Sequence, residues 1–302
     1  MKKCLIVSLM ILIPFTTWAR DYCTNPDLYT VDKRCYVTDE EKAQKPYNST
    51  VALITSTDND PMCTGAIVKI QDTLFVYTAA HCVIYKNKKE EQIHIQLQDG
   101  KKIIASYNNA GKFNSRSQKV QSTDWAVYHI PEQYNDIAYT NVTNKIYSSS
   151  DTEYDATAVG YGSLKIMSDK DINDFKQKYI NYLNKINKAQ NLKNGVMPDG
   201  GIHLNMNTVQ HFLSQTLKED EPDYYKDLFD NAELKKSQCK YTSQGTGINC
   251  QAWRGNSGSP IFDNDGNIIG IITDAYSIIG GEMHGLEAGS IPLLQEQDTN
   301  TD

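Results

Sequence analysis

The stretch QAWRGNSGSPIF, residues 251–262, carries the most informative pattern in the chain. Two glycines flank a serine, and a proline follows just before an apolar run. Glycine tolerates backbone conformations that other residues avoid, so this composition predicts a tight turn with Ser257 at its tip. Either the stretch is an ordinary glycine-rich hairpin, or the turn exists to hold Ser257 open for chemistry.

A serine hydroxyl is a weak nucleophile unless a neighbouring base takes its proton, and that base is usually a histidine. His81 has the most suggestive context of the six histidines, because in VYTAAHCV a strand-like run ends in small residues beside a cysteine. A structural histidine near a disulfide would give the same local pattern. A carboxylate must then orient the imidazole. Asp124 in STDWAVYHIP leads a predicted strand, and Asp136 in NDIAY is its rival.

The order His81, Asp124, Ser257 resembles that of the trypsin- and chymotrypsin-like serine proteases. The matching motifs are TAAHC at 78–82, DWAV at 124–127, GYG at 160–162 and GNSGSP at 255–260. The resemblance implies that Ser257 is the nucleophile, His81 the general base and acid, and Asp124 the orienting carboxylate. It also implies an oxyanion hole made by the N–H groups of Gly255 and Ser257. Asp124 is preferred over Asp136 because its interval to Gly160 is closer to that of the family.

Asn256 stands where the animal digestive proteases have the aspartate that pairs with a newly cut N-terminus. The GNSGSP motif therefore resembles that of bacterial glutamyl endopeptidases, and activation by the trypsin mechanism is not expected. The resemblance puts Gln251 and Ala252 at the floor of the substrate pocket, and Thr273 and Asp274 in its wall. Asp274 would favour a basic substrate residue, Thr273 would suit a glutamyl-type pocket, and Asp274 facing solvent is the remaining alternative.

Short runs rich in Val, Ile, Thr and Tyr fill residues 48–163 and return over 237–290, which predicts an all-β protein. The resemblance implies two antiparallel six-stranded β-barrels of the chymotrypsin-like type. Residues 164–236 interrupt this pattern in the second-barrel region, and their apolar residues recur at helical spacing. We expect an α-helical insertion that packs on the barrel as decoration or covers the cleft. The peptidase domain would then span 48–290, followed by a flexible tail over 291–302.

The N-terminal sequence has the pattern of an export signal. Residues 1–19 combine two lysines, an apolar run and a small-residue end, which predicts a signal peptide cleaved after Ala19. A membrane anchor is the alternative, but the apolar run is short for a bilayer. Residues 20–47 form an N-terminal extension or a propeptide. We expect a secreted or periplasmic protein with no stable membrane insertion after signal cleavage.

Six cysteines remain after residue 19, and an even set in an exported chain predicts disulfides. Proximity in sequence favours Cys23–Cys35, Cys63–Cys82 and Cys239–Cys250, although other connectivities remain possible. The resemblance supports Cys63–Cys82, which matches the disulfide closing the histidine loop. A metal site is the alternative, but no CxxC or HxxxH spacing occurs, so neither a metal nor an organic cofactor is expected.

The chain has 302 residues and a formal net charge of −7, which gives no reason to expect nucleic acid as a partner. The expected function is that of an exported serine endopeptidase, which acts on protein or peptide substrates through an acyl-enzyme intermediate. We expect it to be a monomer. The alternative is a non-catalytic binding or adhesion protein on the trypsin-like fold, whose site the helical insertion would cover.

Overall fold

A computed structural model gives the fold of residues 21–29, 32–54, 61–85, 88–111, 124–142, 153–186, 202–203, 212–229, 233–242, 255–273, 278–279 and 288–289. The predicted signal peptide at 1–19 and the tail at 291–302 lie outside the described residues. The strands of the first half are β1 (Cys35–Tyr36), β2 (Thr50–Ile54), β3 (Pro61–Ile70), β4 (Thr73–Thr78), β5 (Ile84–Tyr85), β6 (Lys88–Lys89), β7 (Gln92–Gln96), β8 (Lys102–Ala110) and β9 (Ala126–His129). Those of the second half are β10 (Glu153–Gly160), β11 (Ile202–His203), β12 (Lys235–Thr242), β13 (Pro260–Phe262), β14 (Ile268–Ile272), β15 (Ile278–Ile279) and β16 (Ala288–Gly289).

Six strands close into an antiparallel barrel in the order β2-β3-β4-β9-β8-β7. Their sequences alternate as a half-buried strand requires, since successive side chains point to opposite faces. In β7, for example, Ile93 and Ile95 are buried while His94 between them is partly exposed. The barrel interior is mostly aliphatic, and its buried residues include Val51, Ile67, Leu74, Ile95 and Tyr128.

Five strands of the second half and β1 from the start of the chain form an antiparallel sheet in the order β1-β12-β10-β13-β14-β16. Every residue of β14, IIGII, is buried, because this strand runs through the interior. One apolar cluster joins the sheet to the barrel. In it Val68 and Tyr77 from the barrel pack with Val159, Phe262 and Ile271 from the sheet. The all-β architecture and the first six-stranded barrel agree with the sequence-based expectation, whereas the six strands of this second sheet are not closed into a barrel within the described residues.

Residues 21–29 and 32–47, which we call the arm, are folded onto the second half. The arm contributes β1 to the sheet edge through pairing with β12, and a disulfide joins Cys23 to Cys35. Helix α1 (Asp39–Lys42) follows, and its first turn has a capping box in which Thr38 and Glu41 satisfy each other's backbone N–H groups. The sequence suggested only an N-terminal extension or a propeptide with a Cys23–Cys35 disulfide, and it did not predict that this segment pairs with the sheet.

Helices occupy the region where the amphipathic pattern predicts them. They are α2 (Asp169–Ile186), a π-helical segment (Phe212–Leu217), α3 (Lys218–Asp220) and α4 (Pro222–Asp227). The buried face of α2 carries Ile172, Phe175, Tyr179 and Leu183, and these side chains form one cluster with Phe212. Of the described helices, none is both long and apolar enough to span a membrane.

Candidate active site

The turn between residues 255 and 260 depends on two glycines in the left-handed region. Gly255 has φ +98° and Gly258 has φ +81°. A Cβ on Gly258 would lie 2.2 Å from the carbonyl oxygen of Thr64, so only glycine fits this close approach. The Gly258 N–H donates to the Ile272 carbonyl at 2.6 Å, and the Ser259 N–H donates to that of Asn256 at 2.9 Å. The turn therefore presents Ser257 from a rigid frame.

His81 lies on a one-turn 3₁₀ segment, Ala80–Cys82, that directly follows β4. The disulfide between Cys63 and Cys82 ties this segment to β3. The His81 Nδ1 atom lies 2.7 Å from Oδ2 of Asp124, and the His81 backbone N–H donates to Oδ1 at 2.9 Å. One carboxylate thus fixes both the ring and the backbone of the histidine.

The Asp124 side chain is 8% exposed and that of His81 is 31% exposed. An ionised carboxylate can only accept hydrogen bonds, so in a neutral His81 ring the proton lies on Nδ1 and Nε2 is the acceptor nitrogen. The rival carboxylate, Asp136, is exposed to solvent. The structure therefore brings Asp124 to His81, as the sequence reasoning preferred.

The first half of the chain also reaches the Ser257 turn. The Thr64 N–H donates to the Ser257 carbonyl at 2.8 Å, and Cys82 Sγ, beside His81, lies 3.8 Å from the same oxygen. The barrel supplies His81 and Asp124, while the second half supplies Ser257. The Ser257 turn therefore contacts Thr64 and Cys82, the neighbour of His81 in the chain, at the junction of the two halves, a common place for an enzyme site.

The model of the trypsin-like peptidase domain matches residues 63–271. The chain belongs to the trypsin-like peptidase family. It is a serine endopeptidase, a peptide hydrolase, and its substrates are peptides.

Solved structures with a similar fold include a Glu endopeptidase in complex with MPD, with 14% identity over 87% of this chain and 94% of that chain and a TM-score of 0.48. Neuropsin, a serine protease of mouse brain, has 14% identity over 81% and 89% of the two chains and a TM-score of 0.45. A serine endoprotease from Yersinia pestis has 14% identity over 82% and 60% and a TM-score of 0.42. No curated protein matches the sequence at a significant level.

The GYG motif of this peptidase supports the residue that precedes the serine. Asn256 is buried, and its side chain lies against Gly160 and Gly162. A Cβ on Gly162 would come within 2.5 Å of the Asn256 Oδ1 atom, and one on Gly160 within 1.8 Å of the Ser259 Oγ atom. The two glycines thus make room for Asn256 and Ser259 behind the turn.

Sequence reasoning missed a buried ion pair of the peptidase, Asp32 with Arg34, whose side chains are each 4% exposed and 2.7 Å apart. Arg34 also donates to the carbonyls of Leu164 and Lys165, directly after the GYG motif. The opposite charges two residues apart, next to Cys35, were the available signal. Their partners lie about 130 residues away along the chain, and no local pattern reports such contacts.

The predicted substrate pocket is described only in part. Thr273 is buried directly after β14. Gln251, Ala252 and Asp274 lie outside the described residues, so their predicted roles stay predictions. Cys239 is disulfide-bonded, and its predicted partner Cys250 also lies outside the described residues.

Within the described part of the chain, the residues with the most metal-like arrangement lie in the histidine loop of the peptidase. Ligand atoms of Cys63, His81 and Cys82 lie within 4.8 Å of one another. Both sulfurs are joined in a disulfide, so neither has a thiolate to offer a metal.

Proposed function

We propose that this serine endopeptidase is exported and works through a triad of His81, Asp124 and Ser257. The observation that carries the proposal is the double contact of Asp124, whose two oxygens meet the ring and the backbone N–H of His81. This contact orients the imidazole and stabilises its charged form during proton transfer.

In the proposed reaction, Ser257 Oγ attacks the peptide carbonyl carbon while its proton passes to His81 Nε2. The N–H groups of Gly255 and Ser257 stabilise the resulting oxyanion. The C–N bond then breaks, the leaving amine takes the proton from His81, and an acyl-enzyme remains. Water, deprotonated by His81, hydrolyses the ester and restores Ser257.

Export is supported by the sequence of residues 1–19 and by the disulfides Cys23–Cys35 and Cys63–Cys82. Disulfides persist in oxidising compartments outside the cytosol. The protein would therefore act in the periplasm or after secretion, as a monomer on protein or peptide substrates.

For specificity, we propose a glutamyl-type pocket in which Thr273 contributes to the wall. The support is the GNSGSP motif together with the buried position of Thr273 after β14. Peptides with glutamate before the scissile bond should be cleaved faster than those with lysine. Faster cleavage after lysine would instead favour a pocket wall in which Asp274 binds a basic substrate residue.

The test is labelling with a fluorophosphonate probe. The Ser257 Oγ–P bond forms, the P–F bond breaks, and the serine proton leaves through His81. We expect modification of Ser257 in the wild-type protein and none in Ser257→Ala or His81→Ala. Asp124→Asn should lower the labelling rate about 10³- to 10⁴-fold. Asp136→Asn, which alters an exposed carboxylate, should be labelled at the wild-type rate.

Folded wild-type protein labelled no faster than Ser257→Ala would overturn the catalytic proposal and favour a binding protein on this fold. Equal losses in Asp124→Asn and Asp136→Asn would overturn the assignment of Asp124.

A further inference from the structure

Thr64 makes four hydrogen bonds at the junction between the barrel and the Ser257 turn. Its hydroxyl donates to the Gly255 carbonyl at 2.8 Å and accepts from the Tyr161 N–H at 2.9 Å. Its N–H donates to the Ser257 carbonyl at 2.8 Å, and its carbonyl accepts from the Thr78 hydroxyl at 2.8 Å. A single residue of β3 therefore contacts the carbonyls of both residues that are proposed to form the oxyanion hole.

These contacts act on the peptides next to those that carry the catalytic N–H groups. Gly255 has φ +98°. Because glycine readily adopts other backbone conformations, this one needs contacts that hold it in place. Anchoring its carbonyl restricts rotation of the Gly255–Asn256 peptide, which lies between the two peptides that carry the proposed donor N–H groups. The Tyr161 bond fixes the segment packed against Gly255. A donor contributes most to catalysis when it is oriented before the reaction begins.

Water cannot take over the hydrogen bonds of the Thr64 hydroxyl. Thr64 is fully buried, so solvent does not reach the two groups that its hydroxyl satisfies. A hydroxyl has one proton to donate and lone pairs to accept, and here both functions are used. Its backbone is also confined, because the carbonyl of Thr64 abuts Gly258 and bonds Thr78.

We propose that Thr64 is a positioning residue that holds the oxyanion hole of this endopeptidase in its productive form. The inference rests on the proposed function, because it assigns the Gly255 and Ser257 N–H groups to the oxyanion. Thr64 acts through Gly255 and Ser257 and does not itself touch the substrate.

The test compares Thr64→Val, which keeps the shape and removes the hydroxyl, with Thr64→Ser, which keeps the hydroxyl. Labelling by a fluorophosphonate probe separates kinact from KI. We expect kinact of Thr64→Val to fall at least about tenfold with little change in KI, since the oxyanion donors remain but lose their orientation. Thr64→Ser should stay within about threefold of wild type, and the pH dependence of kinact should keep its shape.

Thr140→Val is the matched control, because the buried Thr140 hydroxyl likewise donates to a backbone carbonyl, that of Gly266, at 2.7 Å. It should lower thermal stability and leave kinact unchanged. If Thr64→Val does not fold, Thr64→Ala is measured instead. Hydrogen exchange in wild type gives an independent check, since the Tyr161 amide should be protected.

Equal kinact values in wild type and folded Thr64→Val would overturn the inference while leaving the proposed function intact. So would equal losses in Thr64→Val and Thr140→Val, or a rapidly exchanging Tyr161 amide. Wild-type protein that labels no faster than Ser257→Ala would overturn both the proposed function and the inference.

Discussion

Gly258 and Gly266 have nearly the same φ, +81° and +78°, but different surroundings. At Gly258 an added Cβ would lie 2.2 Å from the Thr64 carbonyl oxygen and 2.3 Å from the Thr78 hydroxyl. At Gly266 its nearest neighbour would be Pro46 at 3.6 Å. The pair separates the cost of a left-handed backbone from the cost of a steric clash.

We expect Gly258→Ala to destabilise the fold by about 1–3 kcal/mol more than Gly266→Ala, because only the first adds overpacking to the backbone strain. Urea unfolding of both variants and wild type measures the difference. Equal losses would mean that the turn around Ser257 relaxes to admit a methyl group.

At the residue scale, the sequence predicted the residues that belong to short motifs. His81 and Ser257 stand in TAAHC and GNSGSP. The residue types of these motifs follow from local requirements, namely small residues where segments approach closely and glycines in a tight turn. Thr64 could not be found in this way. Its hydroxyl meets Gly255 across 191 positions of the chain, and a lone buried threonine in a strand has no local signature.

At the scale of elements, the arm is held to the sheet and to the segment after the GYG motif. The Asp32 carboxylate accepts from the Met167 N–H, and the Leu28 carbonyl accepts from the Asp169 N–H at the start of α2. Arg34 neutralises Asp32 in this buried site. These contacts are those of an integral part of the domain, so we infer that the arm stays in the active enzyme.

Replacing Arg34 by Met should destabilise the protein by about 3–5 kcal/mol, because it leaves a buried carboxylate without its partner. The matched control is Lys42→Met, since Lys42 pairs with Asp39, whose side chain is 99% exposed, and exposed pairs contribute at most about 1 kcal/mol. Chemical denaturation of the two variants measures both values. A loss in Arg34→Met no larger than in Lys42→Met would contradict an integral arm.

The strands of the barrel were predictable because alternation and β-branched residues mark them directly. The arm was not, because β1 has two residues and forms only through its pairing with β12. The polar composition of the arm indicates turns, but it gives no sign of the pairing with β12.

At the scale of the whole molecule, the barrel and the sheet share one apolar cluster. Phe262 of β13 is buried in it beside Val68, Tyr77 and Val127 of the barrel. Because each half buries part of its surface against the other, we expect the two halves to unfold in one cooperative transition.

Phe262→Ala should lower the free energy of unfolding by about 3–5 kcal/mol. Hydrogen exchange should accelerate equally at amides of β3 and β14. The control Leu28→Ala removes a side chain from a residue that is 53% exposed and should change stability by less than about 0.5 kcal/mol. Faster exchange in β14 alone would mean that the halves unfold separately.

The pairing of β1 with only the first two residues of β12 has a consequence for self-association. Beyond Lys235 and Lys236, no described strand pairs with that side of β12. An open strand edge invites a strand from another copy, and short edge strands and lysines oppose such growth. Here the two-residue β1 covers the start of this edge and the exposed Lys240 lies on its unpaired part, and both features oppose the stacking of copies edge to edge.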